Sequence, residues 1–328
     1  MSLFQNKSEA IRETIRNCSI STLPQISVKD LPQNPLIDPP RGNVIADPQV
    51  LIPGEYDNKW HLFATGSGHF YHFISNNGIQ WRLIDEYSWR AGTCFLFYWK
   101  EEWILYYAYY KGNREKEVYI VARTTLDFKR WSKPITILKP EFSWEREGPI
   151  PEVRNPCLIC KNNKFWLYYS GGTVFLEDAG YEEPKYIGLA FANNPFGPFK
   201  KLKRPIIVPK NSDNYRNLGA GAIKVYRYRD YYIGFNNGIY IGVDGKSHSA
   251  ILLVVSYDGL RWHDAPYNPI IKPTVGWKRA FVYQLDAKFL RTSEGKIKIL
   301  LYYNARDGWK NGIERIGCSI LESENSGK

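Results

Sequence analysis

Asp47 stands directly before Pro48, at the head of the stretch Asn43-Val44-Ile45-Ala46-Asp47-Pro48-Gln49-Val50-Leu51. Pro48 has no N–H to give to a β-ladder, so it belongs at the first residue of a strand or on an edge. Asp47 is then at a strand mouth, where a carboxylate can leave the core and face a cavity. Later strand starts carry comparable groups. They are Arg90 in Trp89-Arg90-Ala91-Gly92-Thr93; Glu147, Glu152, Arg154 and Asn155 ahead of Pro156; Arg216 and Asn217 in Tyr215-Arg216-Asn217-Leu218-Gly219; and Asp286 in Tyr283-Gln284-Leu285-Asp286. Glu183, in Tyr181-Glu182-Glu183-Pro184-Lys185, adds an acid on a connection between strands. Burying charge is costly unless it is paired or used. Carboxylates, arginines and amides converging on one channel therefore imply a polar ligand site, or else a ring of groups that neutralise each other around a wet channel.

Repeated strands must position these groups. Each start leads through a turn to an aromatic strand: Lys59–Ala64, Glu102–Tyr107, Lys164–Ser170, Asp230–Phe235 and Lys296–Tyr303. A third strand follows each one, at Phe70–Ile74, Val118–Arg123, Tyr186–Ala192, Ala250–Ser256 and Glu314–Ile320. In four units a turn then ends in an aromatic, as in Ser75-Asn76-Asn77-Gly78-Ile79-Gln80-Trp81 and Ser256-Tyr257-Asp258-Gly259-Leu260-Arg261-Trp262. Asn-Gly and Asp-Gly are strong hairpin signals. A period of roughly 50 to 65 residues lies in the range of propellers and arrays. Four strands per unit and five units predict an all-β, five-bladed β-propeller over residues 43–328. The fifth unit lacks its last strand. Residues 1–42 are expected to form a short helix over 7–17 and an extended proline-bearing arm that closes or covers the ring. In this layout the second-to-third-strand connections, 171–185, 236–249 and 304–311, are loops on the same face as Asp47, and the Asn77-Gly78 and Asp258-Gly259 turns are scaffold on the opposite face.

Composition narrows the class. The 328 residues are 44% hydrophobic and 23% charged, ordinary globular shares. Aromatics reach 16%, with 24 Tyr and 11 Trp. They favour strands and also offer flat faces to sugar rings. The net charge of +11 is spread along the chain without a basic block, which reads as a solvated surface rather than a nucleic-acid or membrane patch, with an acidic polysaccharide as a secondary option. Five cysteines form no disulfide framework. Cys157 and Cys160 fall within a strand and read as small core residues, with no second pair at zinc-ligand spacing. Neither a metal nor a cofactor is expected. The N-terminus has no apolar leader and no run reaches membrane-spanning length, so a cytoplasmic location is expected.

Ala46-Asp47-Pro48, the aromatic second strands and the turn Asn194-Pro195-Phe196-Gly197-Pro198-Phe199 together resemble the five-bladed propeller glycoside hydrolases. That superfamily includes the arabinanases and β-xylosidases of glycoside hydrolase family 43, the invertases and the levansucrases. The resemblance covers roughly residues 43–320. It implies a glycosidase acting on an oligosaccharide or polysaccharide fragment by carboxylate acid/base chemistry, with Asp47 as general base or nucleophile. The family's second-blade Asp is missing from Arg90-Ala91-Gly92. Its third-blade acid, two residues before a proline, is replaced by Arg154. Glu183, Glu152 and Glu147 are the candidate replacements, with Glu183 slightly preferred. Arg90, Arg154, Asn155, Arg216, Asn217 and Asp286 are the candidate substrate contacts, and the arginines hint at a carboxylate or sulfate on the sugar. The alternative is a carbohydrate-binding propeller that has lost catalysis.

Overall fold

The computed structural model describes residues 26–112, 117–228, 231–291 and 297–323. The helix expected over 7–17 lies outside them. The described chain begins with β1 (Ile26–Asp30) and then builds five blades in turn. Blade one holds β2 (Ala46–Leu51), β3 (Trp60–Gly66), β4 (Gly68–Ser75) and the first half of β5 (Arg82–Trp99). β5 runs on as the inner strand of blade two, before β6 (Glu102–Lys111), β7 (Glu117–Thr125) and β8 (Ile135–Leu138). Blade three is β9 (Val153–Lys161), β10 (Lys164–Leu176), β11 (Tyr181–Ala192) and β12 (Lys200–Lys201). Blade four is β13 (Ile223–Tyr228), β14 (Tyr231–Ile241), β15 (Ser247–Ser256) and β16 (His263–Asp264). Blade five is β17 (Phe281–Arg291), β18 (Ile297–Arg306) and β19 (Glu314–Ser323), with β1 as its antiparallel outer strand.

The strands run further than the sequence pattern indicates. β10 and β11 pair as far as Leu176↔Tyr181, β14 and β15 as far as Ile241↔Ser247, and β18 and β19 as far as Arg306↔Glu314. The expected loops 171–185, 236–249 and 304–311 are therefore mostly ladder closed by short turns. Glu183 sits on a strand opposite Val174. Cys160 is exposed, unlike Cys157.

Neighbouring blades pack face to face. Ile104, Tyr106 and Ile120 of blade two meet Leu158, Phe165 and Leu167 of blade three. Leu62 and Tyr71 of blade one meet Leu300 and Tyr302 of blade five. Full burial of each such side chain contributes about 1.5–3 kcal/mol. The tyrosines also act through their hydroxyls. Tyr106 donates to the Pro195 carbonyl (2.7 Å), Tyr168 to Gly259 (3.0 Å) and Tyr302 to Gly78 (2.8 Å), each in a turn of the next blade. Gly78 and Gly259 have φ of +72° and +78°, and a Cβ on either would lie 2.8 Å from that hydroxyl. The turn itself is held by side chains. Ser256 Oγ accepts from Gly259 N–H, while Asp258 Oδ1 accepts from Leu260 and Arg261 N–H. Asp258→Ala removes these acceptors on the face opposite Asp47. It is expected to cost about 1–2 kcal/mol in urea unfolding without changing ligand binding.

Candidate active site

In every blade the inner strand carries one residue more than its partner where it leaves the ladder. In blade one Ala46 faces Thr65 but Gln49 faces Phe63, three residues against two. The same offset falls between Gly92 and Cys94, between Arg154 and Cys157, between Gly219 and Ile223, and between Val282 and Leu285. These are β-bulges, which re-aim side chains. Asp47 (φ +55°), Thr93 (+28°), Asn155 (+55°) and Gly221 (+56°) are in the left-handed region there, which Asn and Asp tolerate better than most residues. Pro48 lies in the first bulge, where no ladder donor is needed.

Peptide groups released by the bulges are satisfied across the blade seams. Asp47 N–H donates to Asn304 Oδ1 (3.1 Å), Cys94 Sγ–H to Asp47 O (3.3 Å) and Asn155 N–H to Thr93 Oγ1 (2.9 Å). Ser170 Oγ–H donates to Gly221 O (2.7 Å), and Asn237 Nδ2 to Val282 O (2.9 Å). All five seams are thus stitched at one level, and the bulge side chains open on a cavity of about 450 Å³.

The bulges contribute Asp47, Thr93, Asn155 and Gln284 to that cavity. The extended ladders contribute Tyr181, Glu183, Asn304, Arg306 and Glu314. Arg154 reaches it from the third bulge with Glu152 Oε1 2.9 Å from its Nε. Burial pushes the Asp47 carboxyl up to about 6, against the pull of Lys224, Arg154 and a hydrogen bond from Thr65. Burial likewise pushes Glu183 up to about 7, against Arg154 and the Tyr283 hydroxyl, with Asp47 and Glu152 adding to the rise. Glu314 rises to about 8, through burial and then the charge of Glu183; Asn304 Nδ2 donates to it at 2.5 Å. Glu152 is also raised by burial, with Arg154 opposing. Burial alone would lower the Arg154 pKa, but Glu152, Tyr110, Glu183 and Asp47 around it hold it above its usual value. Lys224 crosses the channel from blade four, donating to the carbonyls of Cys94 (3.3 Å) and Pro156 (3.5 Å).

Several sequence candidates are elsewhere. Glu147 is bonded to Lys185 and Tyr186 outside the cavity, because the Gly148 turn leads away from the bulge. Arg90 is exposed at the junction of the two halves of β5. Arg216 is buried against Asp213, Asp264 and Asn236, and Asn217 caps the Ile241 N–H. Asp286 accepts from Val50 N–H (2.8 Å) and lines a separate cavity among the lower ends of the inner strands. His248, on the 236–249 ladder, is buried with Nδ1 2.8 Å from Ala280 O. Glu314, Gln284 and Tyr283 were not singled out. Glu314 opens a third strand, and its only sequence signal is its hairpin register with Arg306. Among the described residues no three His, Cys, Asp or Glu side chains are placed to hold a metal ion.

The raised carboxyls favour the protonated, folded state. The fold keeps the Glu314 proton up to about pH 8 while the unfolded chain releases it near the ordinary 4.5. Stability contributed by this group therefore falls as pH rises from about 4.5 to 8. Glu314→Gln should flatten that slope and be more stable than the parent at pH 8 by about 1–3 kcal/mol, as measured by urea melts at pH 5.5 and 8.

No protein-family model and no curated protein matches the sequence. Solved structures match its fold. An α-L-arabinanase from Cellvibrio cellulosa aligns with a TM-score of 0.57 over 88% of this chain and 95% of its own, at 17% identity. A protein described as a glycoside hydrolase aligns at 0.65 over 100% and 97%, at 14% identity. An N-acetylgalactosamine deacetylase from F. plautii, solved with blood group B trisaccharide, aligns at 0.62 over 90% and 95%, at 12% identity. The chain shares the fold of these solved structures, and the five-bladed propeller is the one that the sequence resemblance implies. At these identities the likeness extends to fold and not to catalytic residues.

Proposed function

We propose that the protein is a glycoside hydrolase acting on an oligosaccharide or polysaccharide fragment, with Asp47 as general base or nucleophile and Glu183 as proton donor. The observation that carries this reading is that both carboxyls face one cavity and both are raised by burial. Lys224 and Arg154 favour the ionised form of Asp47, whereas Glu183 has Arg154 alone as a cation and the charges of Asp47 and Glu152 favour its protonated form. Carboxyl environments that differ in this way divide base from acid. Hydrolysis needs a proton delivered to the leaving oxygen and a carboxylate that activates water or attacks the anomeric carbon.

Arg154 stands where the resemblance implies an acid, and its charge has two effects. It favours the ionised form of Asp47, and it restrains the rise of Glu183. Glu152, paired to Arg154, supplies the compensating charge. Lys224 favours ionised Asp47 from a second direction. Asn155, its side chain donating to Ser170 Oγ (3.0 Å), lines the wall between them.

Nitrophenyl α-L-arabinofuranoside and β-D-xylopyranoside, with the matching oligosaccharides, are suitable first substrates, since one neighbour is an arabinanase and another a xylan β-1,4-xylosidase. Asp47→Asn is expected to abolish turnover, and Glu183→Gln to lower kcat about 10²–10⁴-fold, with oligosaccharides hit harder than activated nitrophenyl glycosides. Full activity in Asp47→Asn would sink the assignment. The absence of a carboxylate from Arg154-Asn155-Pro156 favours the binding-only alternative, whose signature is sugar binding by calorimetry without hydrolysis by the parent protein.

The kcat/KM profile should be a narrow bell. It falls below about pH 6 as Asp47 gains a proton and above about pH 7 as Glu183 loses one. Lys224→Met removes a charge that favours Asp47 ionisation, so its acid limb should move to higher pH while the alkaline limb stays. An unmoved acid limb would show that Lys224 has only a packing role.

A further inference from the structure

A second cavity, of about 620 Å³, lies among the lower ends of the inner strands. Its volume is in the range of small-molecule sites. Lys224 lines it and not the upper cavity, with its ammonium 4.7 Å from the centre of the Phe95 ring. The inner strands do not cover this space equally. Val50 and Leu51, Leu158 and Ile159, and Val225 are buried. On β5 every residue from Phe95 to Trp99 is only half-buried. Phe95, Phe97 and Trp99 alternate along that strand and so share one face, and Trp103 and Tyr226 bring further rings to the lining. Phe165 holds Phe97 and Trp99 edge-on, at centroid distances of 6.1 and 4.9 Å. The rings are therefore fixed before a ligand arrives, which lowers the cost of binding. Apolar surface left open inside a concave space is the mark of a ligand site.

The polar groups of this cavity divide in two. Those from blades one and five are committed to the protein. Gln49 donates to Pro48 O and accepts from Leu96 N–H. Asp286 accepts from Val50 N–H (2.8 Å) and from the Tyr226 hydroxyl (3.2 Å), and it has Lys288 at 3.1 Å. Lys288 also has Glu55 at 3.9 Å. Arg227, from blade four, differs. It is exposed, lines the cavity and forms no ion pair among the described residues. Cys160 is exposed on the same cavity. Burial raises its thiol pKa, and the nearby charge of Arg227 opposes that rise. Lys224 and Arg227 are three residues apart on β13, so the cavity extends about 10 Å along the strand, from a buried cation to an exposed one.

We propose that the lower cavity binds a planar aromatic acid, with its ring system against Phe95, Phe97 and Trp99 and its carboxylate at the mouth on Arg227. An arene meets the surrounding rings offset or edge-on, which adds to the plain burial of apolar area. A guanidinium donates two parallel N–H bonds to a carboxylate, and at the mouth that pair stays in contact with water. The committed polar groups of blades one and five favour an apolar body over a second sugar. The site is separate from the Asp47 cavity, and the inference does not depend on the hydrolase reading.

The test titrates the full chain calorimetrically with 2-naphthoate and with its saturated analogue, decahydronaphthalene-2-carboxylate. The parent should bind 2-naphthoate saturably, about threefold or more tighter than the saturated acid. Arg227→Gln should weaken 2-naphthoate about threefold. Cys160→Trp fills the mouth and should remove binding, whereas Cys160→Ser leaves it open and should bind as the parent does. A readout free of substitutions accompanies these. In the parent, 2-naphthoate should slow alkylation of Cys160 by iodoacetamide, followed by peptide mass spectrometry. The inference is overturned by any of five results: no saturable binding, a saturated acid that binds equally or more tightly, parent-like affinity in Cys160→Trp or Arg227→Gln, lost affinity in Cys160→Ser, or an unprotected Cys160. Glycoside turnover is scored separately. Its absence leaves the aromatic site standing, and absence of 2-naphthoate binding leaves the hydrolase reading standing.

Discussion

The constraint on which the rest of the structure depends is the disposal of peptide groups at the five inner bulges. A strand that turns a side chain into a closed channel must break its ladder, and each released N–H or carbonyl then needs a partner away from water. Asn304, Cys94, Thr93, Ser170 and Asn237 meet that need, each across a seam between blades. The bonds that satisfy the bulges are therefore the bonds that fix one blade against the next. Ring closure and site geometry follow from one set of contacts.

The electrostatics follow from the same arrangement. Bulges and extended ladders carry Asp47, Glu183 and Glu314 into a space where burial is the largest influence on each carboxyl. Arg154 and Lys224 offset part of it. The balance differs from group to group because the partners differ. Asp47 has two cations acting on it, whereas Glu314 sits beside Glu183 and draws on Arg306 and Asn304. Carboxyl groups of similar intrinsic acidity are thus raised to different extents by different partners.

The aromatic excess has a large architectural part. Tyr106, Tyr168 and Tyr302 bury their rings between blades and place their hydroxyls on turn carbonyls of the next blade. The Gly78 and Gly259 turns, and the corresponding turn at Thr125, all on the face away from Asp47, take the Ser/Thr-x-Asx pattern because their own N–H groups need side-chain acceptors. Around the cavity itself, Tyr110, Tyr181 and Tyr283 are the aromatic lining.

The repeat, the all-β class and the placement of Asp47 were legible in the sequence because they depend on local properties: a proline without a donor, turn residues at fixed offsets, and aromatic strands of regular spacing. Arg154 and Asn155 were found for the same reason, since Asn155-Pro156 copies the chemistry of Asp47-Pro48 one unit further round. The rest was decided by the tertiary structure. Whether a carboxylate near a strand start enters the channel depends on bulge phase and on how far the ladders extend, and neither is visible in residue types. Glu147 is only a few residues from Glu152 yet is on the outer surface with Lys185. Glu314 and Gln284 look ordinary in sequence, but register and the fifth bulge place them at the cavity. Local chemistry along the chain determined that this is a ring of blades with an aspartate at its mouth. Partners brought together across the seams, far apart in sequence, decided which other groups share that cavity and in which protonation state.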